Sequence, residues 1–178
     1  ALYNAGFSVL IAGYRGYGGN PGTPHEQGLY RDAQAFYDWL AGQNGTAPAN
    51  IIIYGESLGT AVATKIAKDN KGAGLVLETP FDSLTAIAKL HYPYIPFIDV
   101  LLHDHFPSDQ RITDIHMPVL IMIAGQDNVV PPERGRRLYE IAHQPKQLKY
   151  LADTTHNEID EDILTAYLAD FQRQHLEK

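Results

Sequence analysis

Cysteine is absent from this sequence, so the chain has no disulfide framework, no thiolate metal site and no thiol nucleophile. Basic residues are scarce, since 14 lysines and arginines stand against 21 acidic residues, for a formal net charge of -7. Nucleic acids and anionic membrane surfaces are therefore not expected as partners. Long apolar runs are also lacking, and no stretch approaches the roughly 20 consecutive apolar residues of a membrane span. These absences leave the oligomeric state and the cellular compartment open.

Residues 1–6 are typical of the last turn of a helix that a glycine closes, and no methionine precedes them. We therefore expect the sequence to begin inside a larger protein. Any association with a membrane would then depend on residues upstream of this chain.

Segments that favour strands and segments that favour helices alternate along the 178 residues, of which 44% are hydrophobic. This alternation is typical of a mostly parallel sheet flanked by helices, so we predict a single α/β domain over residues 1–178. Short apolar runs predict five buried strands, at 7–12, 51–54, 75–78, 119–124 and 147–151. Helices are predicted at 26–41, at 58 to about 68, at 132–142 and at 158 to about 174.

The first predicted helix carries signals at both ends. Thr23 is expected as its N-cap, with Pro24 at the first helical position and Glu26 closing a capping box. Gly42 is expected to end it. Residues 84–116 break the alternation of strands and helices, and we predict that they form a short helical lid inserted over a site.

Residues 55–59 read Gly-Glu-Ser-Leu-Gly and fit the G-x-S-x-G nucleophile elbow, a sharp turn that lifts a serine above a sheet. The pattern alone is common, and an ordinary capping serine in a glycine-rich turn is the alternative. Here, however, an apolar strand precedes Ser57 and a helix follows it, which is the setting that an elbow requires. We therefore predict that Ser57 is a catalytic nucleophile.

A serine hydroxyl needs a neighbouring base, and that base needs an acid to orient it. In a fold with this elbow the chain order is serine, acid, histidine, and each partner follows a later strand. Asp127 follows the strand predicted at 119–124, and His156 follows the strand predicted at 147–151. Both are predicted as catalytic, although a turn-forming aspartate and a capping histidine are the simpler interpretations. Asp82, just past the strand at 75–78, is the rival acid.

Four segments together resemble the small-lid subgroup of the α/β-hydrolase superfamily, which includes bud-emergence-type hydrolases and protein depalmitoylases. They are Gly-Tyr-Arg-Gly-Tyr-Gly-Gly at 13–19, the elbow at 55–59, residues 118–127, and His156 with Asn157. The resemblance covers the chain from end to end. It implies a serine hydrolase that cleaves carboxylic esters or thioesters through an acyl-enzyme on Ser57, with no cofactor. A peptidase or an acyltransferase of the same fold is the alternative.

The sequence departs from this family in one respect, because the family's first strands and oxyanion loop precede the point where this chain begins. The resemblance therefore implies a sheet with a gap between the segments 7–12 and 51–54. Only one oxyanion donor can be named, the backbone N–H of Leu58, and the second donor is missing from the chain. A catalytically weak binding module is thus a further alternative.

Aromatic residues near the predicted site are candidates for an acyl pocket, namely Tyr14, Tyr92, Tyr94 and Phe97. Packing within the lid is the simpler interpretation of these residues. His103, Asp104 and His105 alternate as metal ligands sometimes do, but adjacent ligands of this kind are more typical of a solvated surface, and no metal is expected. The expected partner is a small-molecule or acyl substrate.

Overall fold

The computed structural model of the protein describes residues 2–176. In chain order its helices and strands are α1 (Glu26–Ala41), β1 (Ile52–Glu56), α2 (Leu58–Asp69), β2 (Gly74–Glu78), α3 (Leu84–His91), α4 (Ile98–Leu101), α5 (Ser108–Ile112), β3 (Val119–Ala124), α6 (Pro132–Ile141), β4 (Lys146–Leu151) and α7 (Glu161–His175). A single 3₁₀ turn, Pro48–Asn50, leads into β1. Within the described residues no helix is long and apolar enough to cross a membrane.

The four strands form a parallel sheet in the order β1-β2-β3-β4. Every residue of β2 and β3 is buried, because helices cover the sheet on both faces. On one face Leu75 and Leu77 join a core with α1, α2 and α6. On the other face Val76 packs with Leu168 and Phe171 of α7. The predicted α/β architecture, a mostly parallel sheet flanked by helices, is therefore confirmed.

The strand predicted at 7–12 was wrong, since the structure assigns this segment to no helix or strand. Phe7 packs against the α7 side of the core, but Val9 and Ile11 are 53% and 84% exposed. The sheet as described ends at β1, whose hydrogen-bonded neighbour is β2. An apolar run becomes a strand only where another strand accepts its backbone hydrogen bonds, and this run has none beside it.

Helix α1 spans the predicted residues, but its predicted capping box was wrong. The N-cap is His25, whose Nδ1 accepts a hydrogen bond from the Gly28 N–H at 3.0 Å. The Glu26 carboxylate instead accepts hydrogen bonds from the backbone N–H groups of His105 and Phe106, at 2.7 and 3.0 Å. The Glu26 carboxylate thus makes a contact about 80 residues away instead of the predicted local contact with Thr23.

The segment predicted as a lid, 84–116, contains the three short helices α3, α4 and α5. His91, at the end of α3, lies with its Nε2 2.9 Å from the carbonyl oxygen of Val129. Large apolar side chains are exposed on this segment: Tyr94, Phe97 and Val100 are 75%, 77% and 78% exposed.

Candidate active site

Ser57 sits at the sharp turn between β1 and α2, with φ 48° and ψ -117°. This is a strained conformation for a residue other than glycine. Gly55 permits the turn, since a Cβ there would lie 2.3 Å from the carbonyl oxygen of Gly59. Gly59 has open space around its own Cβ position, so it is not required by a close contact. The Ser57 N–H donates to the Glu78 carbonyl at 3.0 Å, which fixes the turn against β2.

The structure brings Ser57, His156 and Asp127 into one hydrogen-bonded chain. The His156 Nδ1 lies 2.6 Å from Asp127 Oδ2, and its Nε2 lies 2.8 Å from Ser57 Oγ. Because a carboxylate accepts from Nδ1–H, Nε2 is left as the acceptor that faces the serine hydroxyl. Each of the three residues follows the carboxyl end of a parallel strand, namely β1, β3 or β4.

Asp127 is held by more than the histidine. Its Oδ1 accepts the N–H groups of Val129 and Val130, at 2.8 and 2.7 Å, so that both carboxylate oxygens are engaged. The residue is 5% exposed and His156 is 8% exposed. Asp127 is therefore held in a fixed orientation, and water has little access to it or to His156.

The rival acid, Asp82, is not part of the hydrogen-bonded chain of Ser57, His156 and Asp127. It is 1% exposed, and its Oδ2 accepts from Arg134 at 3.2 Å, with Arg137 at 3.7 Å. Its Oδ1 accepts the Ser83 N–H at 3.0 Å. Asp127 rather than Asp82 contacts the histidine, and Asp82 anchors α6 to the end of β2.

The N–H of Leu58 is the first donor of α2 and has no hydrogen-bond acceptor within residues 2–176. The first N–H groups of a helix have no acceptor within the helix, and they favour a negative charge placed near them. Leu58 follows Ser57 directly, so its N–H has the position expected of one oxyanion donor. The sequence-based expectation placed the second donor outside the described residues, and it stays a prediction.

The structure does not gather the four predicted pocket aromatics at one place. Tyr14 is half-buried and packs on the core, and burial together with Asp32 raises its pKa. Tyr92 and Tyr94 contact each other edge to face, with ring centroids 6.2 Å apart. Tyr92 and Phe97 line a cavity of about 310 Å³ within the segment 84–116, and Ser57 does not line it. A larger cavity of about 790 Å³ lies beside the 13–25 loop, and none of the three hydrogen-bonded residues lines it either.

Two residues next to Ser57 escaped the sequence-based prediction. Glu78 ends β2 and is 4% exposed, and its Oε2 accepts a hydrogen bond from the Tyr54 hydroxyl at 2.5 Å. Burial raises the pKa of the Glu78 carboxyl, and the same burial, with Glu78 beside it, raises the pKa of Tyr54. The available signal was a glutamate that closes the otherwise apolar run 74–78.

Asp104 and His105, two of the three alternating residues 103–105, have hydrogen-bond partners within the protein. Asp104 Oδ1 accepts the Glu26 N–H at 2.8 Å, and His105 Nδ1 lies 3.0 Å from the Thr85 hydroxyl oxygen. Within residues 2–176 no group of three or more histidine and carboxylate side chains is arranged to hold a metal ion.

Comparison with known proteins shows the family to which this chain belongs. A family model described as serine aminopeptidase, S33, matches residues 1–107. The chain is 47% identical over 158 residues to the Mycobacterium tuberculosis protein Rv2307c, covering 89% of this chain and 56% of that protein. It is 37% identical over 164 residues to the lysophosphatidylserine lipase ABHD12 of Danio rerio, covering 83% of this chain and 42% of that protein.

A solved structure shares the fold. The monoacylglycerol lipase of Paleococcus ferrophilus is 22% identical and superposes with a TM-score of 0.66, over 97% of this chain and 84% of that one. The chain spans about half the length of the curated relatives it matches. The expected α/β-hydrolase fold, present in part, is thereby confirmed.

Proposed function

Because this chain belongs to the serine aminopeptidase S33 family, and with it to the serine hydrolases of the α/β-hydrolase superfamily, we propose that it carries the catalytic residues of an esterase or thioesterase. The observation that carries the proposal is the hydrogen-bonded chain from Ser57 through His156 to Asp127. Residues 1–178 would form one domain of this fold, with 84–116 as its lid.

The proposed reaction begins with His156 Nε2 accepting the Ser57 proton as Oγ attacks the carbonyl carbon of the substrate. Asp127 keeps Nδ1 protonated and stabilises the imidazolium. The carbonyl oxygen becomes an oxyanion, which the Leu58 N–H stabilises. His156 then gives its proton to the leaving alcohol or thiol, and an acyl-enzyme on Ser57 remains. A water, deprotonated in turn by His156, releases the acid and regenerates the serine.

The substrate class is proposed to be an ester with a long apolar acyl chain. Relatives of this chain include a lysophosphatidylserine lipase, and a structural neighbour is a monoacylglycerol lipase. The lid, with its exposed Tyr94, Phe97 and Val100, offers apolar surface to such a chain. A thioester of the same acyl group fits the mechanism equally well, since it differs only in the leaving group.

Peptide cleavage is the second candidate, and the description of the matching family favours it. The same three residues would act, and the leaving group would be an amine. Turnover of esters graded in acyl length, of matching thioesters and of aminoacyl amides separates the two candidates. Esters preferred as the acyl chain lengthens support the lipid-ester proposal, whereas preference for the amides would replace it.

The nucleophile is tested with an organophosphonate probe, which labels only an activated serine. We expect the chain to be labelled once, at Ser57, and Ser57→Ala to abolish the labelling. Ser83→Ala is the matched control, because the Ser83 hydroxyl is already used to cap α3, accepting from the Ala86 N–H at 3.1 Å. Undiminished labelling of Ser57→Ala would refute the assignment.

A further inference from the structure

The loop between β3 and α6, residues 125–131, carries Asp127 and contains no helix or strand. Its first part is tied to the end of β4. The N–H groups of Gly125 and Gln126 donate to carbonyl oxygens at and just past the end of that strand, at 2.7 and 2.9 Å. Both residues precede Asp127, so these two bonds fix the loop on one side of the acid.

A side chain of the segment 84–116 fixes the loop on the other side. His91 ends α3, and its Nε2 lies 2.9 Å from the Val129 carbonyl oxygen. A carbonyl oxygen only accepts hydrogen bonds, so this ring nitrogen carries a proton and donates it. Among the hydrogen bonds of residues 2–176, this is the one that joins residues 128–130 to another segment.

The carbonyl that His91 contacts belongs to the same peptide group as an N–H that contacts the acid. This peptide group joins Val129 to Val130. Its oxygen accepts from His91, and its N–H donates to Asp127 Oδ1 at 2.7 Å. A peptide group whose oxygen accepts a hydrogen bond is polarised, which makes its N–H a stronger donor. From Asp127 the hydrogen bonds continue to His156 and the nucleophile, at 2.6 and 2.8 Å. One unbroken path therefore runs from His91 to the nucleophile.

Apolar packing holds α3 beside this loop. Val130 is 6% exposed and belongs to the buried core, and Leu84 and Ile87 of α3 pack against the same core. His91 follows Ile87 by four residues, which places the two side chains on the same face of the helix. The packing of α3 therefore helps to place the His91 ring at the Val129 carbonyl.

We propose that His91 is a positioning residue of this site, which holds Asp127 through the Val129–Val130 peptide in the orientation that His156 requires. This rests on the proposed function, in which Asp127 keeps His156 Nδ1 protonated and stabilises the imidazolium. The orientation of the acid affects the chemical step rather than substrate binding, so the effect of His91 is on kcat and not on KM. The segment 84–116 thereby supports the acid, in addition to its proposed role as a lid.

The test compares the original 178-residue chain with three variants. His91→Phe keeps a ring and removes the donor, and His91→Gln keeps an N–H at about the place of Nε2. His91 is exposed, so both substitutions leave the buried core intact. His105→Phe is the matched control: His105 is also exposed, and its Nδ1 lies 3.0 Å from the hydroxyl of Thr85, within the same segment.

The measurements are kcat and KM for an ester, the NMR resonance of the His156 Nδ1 proton at one fixed pH, and the melting temperature. We expect His91→Phe to lower kcat about fivefold at unchanged KM, which is the effect of losing one ordinary hydrogen bond. The resonance of the His156 proton, which reports the hydrogen bond to Asp127, should move in the same variant. His91→Gln should return both toward their original values, and His105→Phe should leave both unchanged.

A lowered melting temperature in His91→Phe, with kcat and the resonance unchanged, would overturn the proposal, because the contact would then only attach α3 to the loop. Equal losses of kcat in the two His91 variants, or a loss as large in His105→Phe, would also overturn it. If the original chain showed no ester turnover, the proposed function would be contradicted instead. The resonance of the His156 proton would still decide the role of His91, because it is read without turnover.

Discussion

Ser57 occupies its strained turn because its own N–H and carbonyl groups both have hydrogen-bond partners. Its N–H donates to Glu78, and its carbonyl accepts from the N–H and the hydroxyl of Thr60, at 3.0 and 2.5 Å. A positive φ at a non-glycine residue costs about 1–3 kcal/mol and persists only where the surroundings enforce it. Here these hydrogen bonds hold the turn so that the Ser57 side chain points at His156. The strained residue is therefore also the one on which the proposed chemistry depends.

The two buried aspartates near this turn are predicted to differ sharply when their charge is removed. Asp127→Asn should lower kcat for an ester by on the order of 10⁴-fold, because an amide donates where the ring must donate and so favours the wrong imidazole tautomer. Asp82→Asn should lower kcat far less and instead lower the melting temperature, because it weakens the pairing with Arg134. Steady-state kinetics and thermal unfolding of both variants check this. A larger loss of kcat in Asp82→Asn, with the fold intact, would mean that the acid has been misassigned.

The hydrogen-bonded grouping of Ser57, Asp127 and His156 could be predicted from the sequence because its signal is one of order and position. Each follows an apolar strand, and parallel strands bring their carboxyl ends to one edge of the sheet. Glu78 and Tyr54 could not be found in this way, since their contact crosses between strands and depends on the register of β1 and β2. The Thr23 cap was wrong for a related reason: local capping preference lost to a contact with the lid.

Helix α1 is joined to the segment 84–116 by its first residue, Glu26. The Glu26 carboxylate accepts from the Tyr30 hydroxyl at 2.9 Å and from Arg111 at 3.1 Å, in addition to the two lid N–H groups. Arg111 also donates to the Tyr30 hydroxyl and stacks over its ring. This network joins residues about 80 positions apart, and it is nearly buried, with Glu26 7% exposed.

We predict that Glu26→Ala destabilises the chain by about 3 kcal/mol, because it leaves the Arg111 charge, the buried N–H of Phe106 and the N–H of His105 without their partner. Burial alone would raise the pKa of Glu26, but hydrogen bonds from Phe106, His105, Tyr30 and Arg111 outweigh it and hold that pKa below its usual range. A carboxyl with a lowered folded-state pKa contributes stability above its unfolded value, about 4.3, and loses it as the pH falls through the folded value. Urea unfolding at pH 7 and at pH 3 measures both effects.

The matched control for this prediction is Glu133→Ala, which removes an exposed carboxylate from the first turn of α6. We expect it to cost under about 1 kcal/mol, the usual value of a charge at a helix N-terminus. The difference between the two variants should be large at pH 7 and should shrink at pH 3. An equal difference at both pH values would show that the Glu26 charge contributes nothing and that only its packing matters.

The helices α1, α2, α6 and α7 were predictable because apolar residues recur along each at helical spacing. The strand predicted at 7–12 did not form. Helix α1 spans the predicted residues, and α7 begins three residues later than predicted because Asp160 caps it, accepting from the Asp162 N–H at 2.7 Å. A helix satisfies its own backbone, so a local pattern suffices. A strand depends on its neighbour, and the neighbour of 7–12 cannot be read from the composition of that run.

For the molecule as a whole, the outer edge of β1 is the feature of greatest consequence. Within residues 2–176, β1 pairs with β2 and with no other strand. An open strand edge offers unpaired N–H and C=O groups to another chain. The exposed side chains of Val9 and Ile11 lie in the segment that was expected to join the sheet and did not. Among the described residues, the Leu58 N–H is the one candidate oxyanion donor that the site offers.

We predict that the 178-residue chain turns over esters about 10² to 10³ times more slowly than a version extended upstream by a strand that pairs with β1 and brings a second oxyanion donor. Removing one preorganised oxyanion donor typically costs this much, because water cannot replace a fixed dipole in a dry site. The shorter chain should also associate as its concentration rises, and Ile11→Lys should reduce that association more than Val100→Lys on the lid, although both residues are exposed. Ester kinetics and sedimentation of both versions provide the measurements. Equal turnover by a monomeric short chain would contradict the prediction, since Leu58 and a donor within these residues would then suffice.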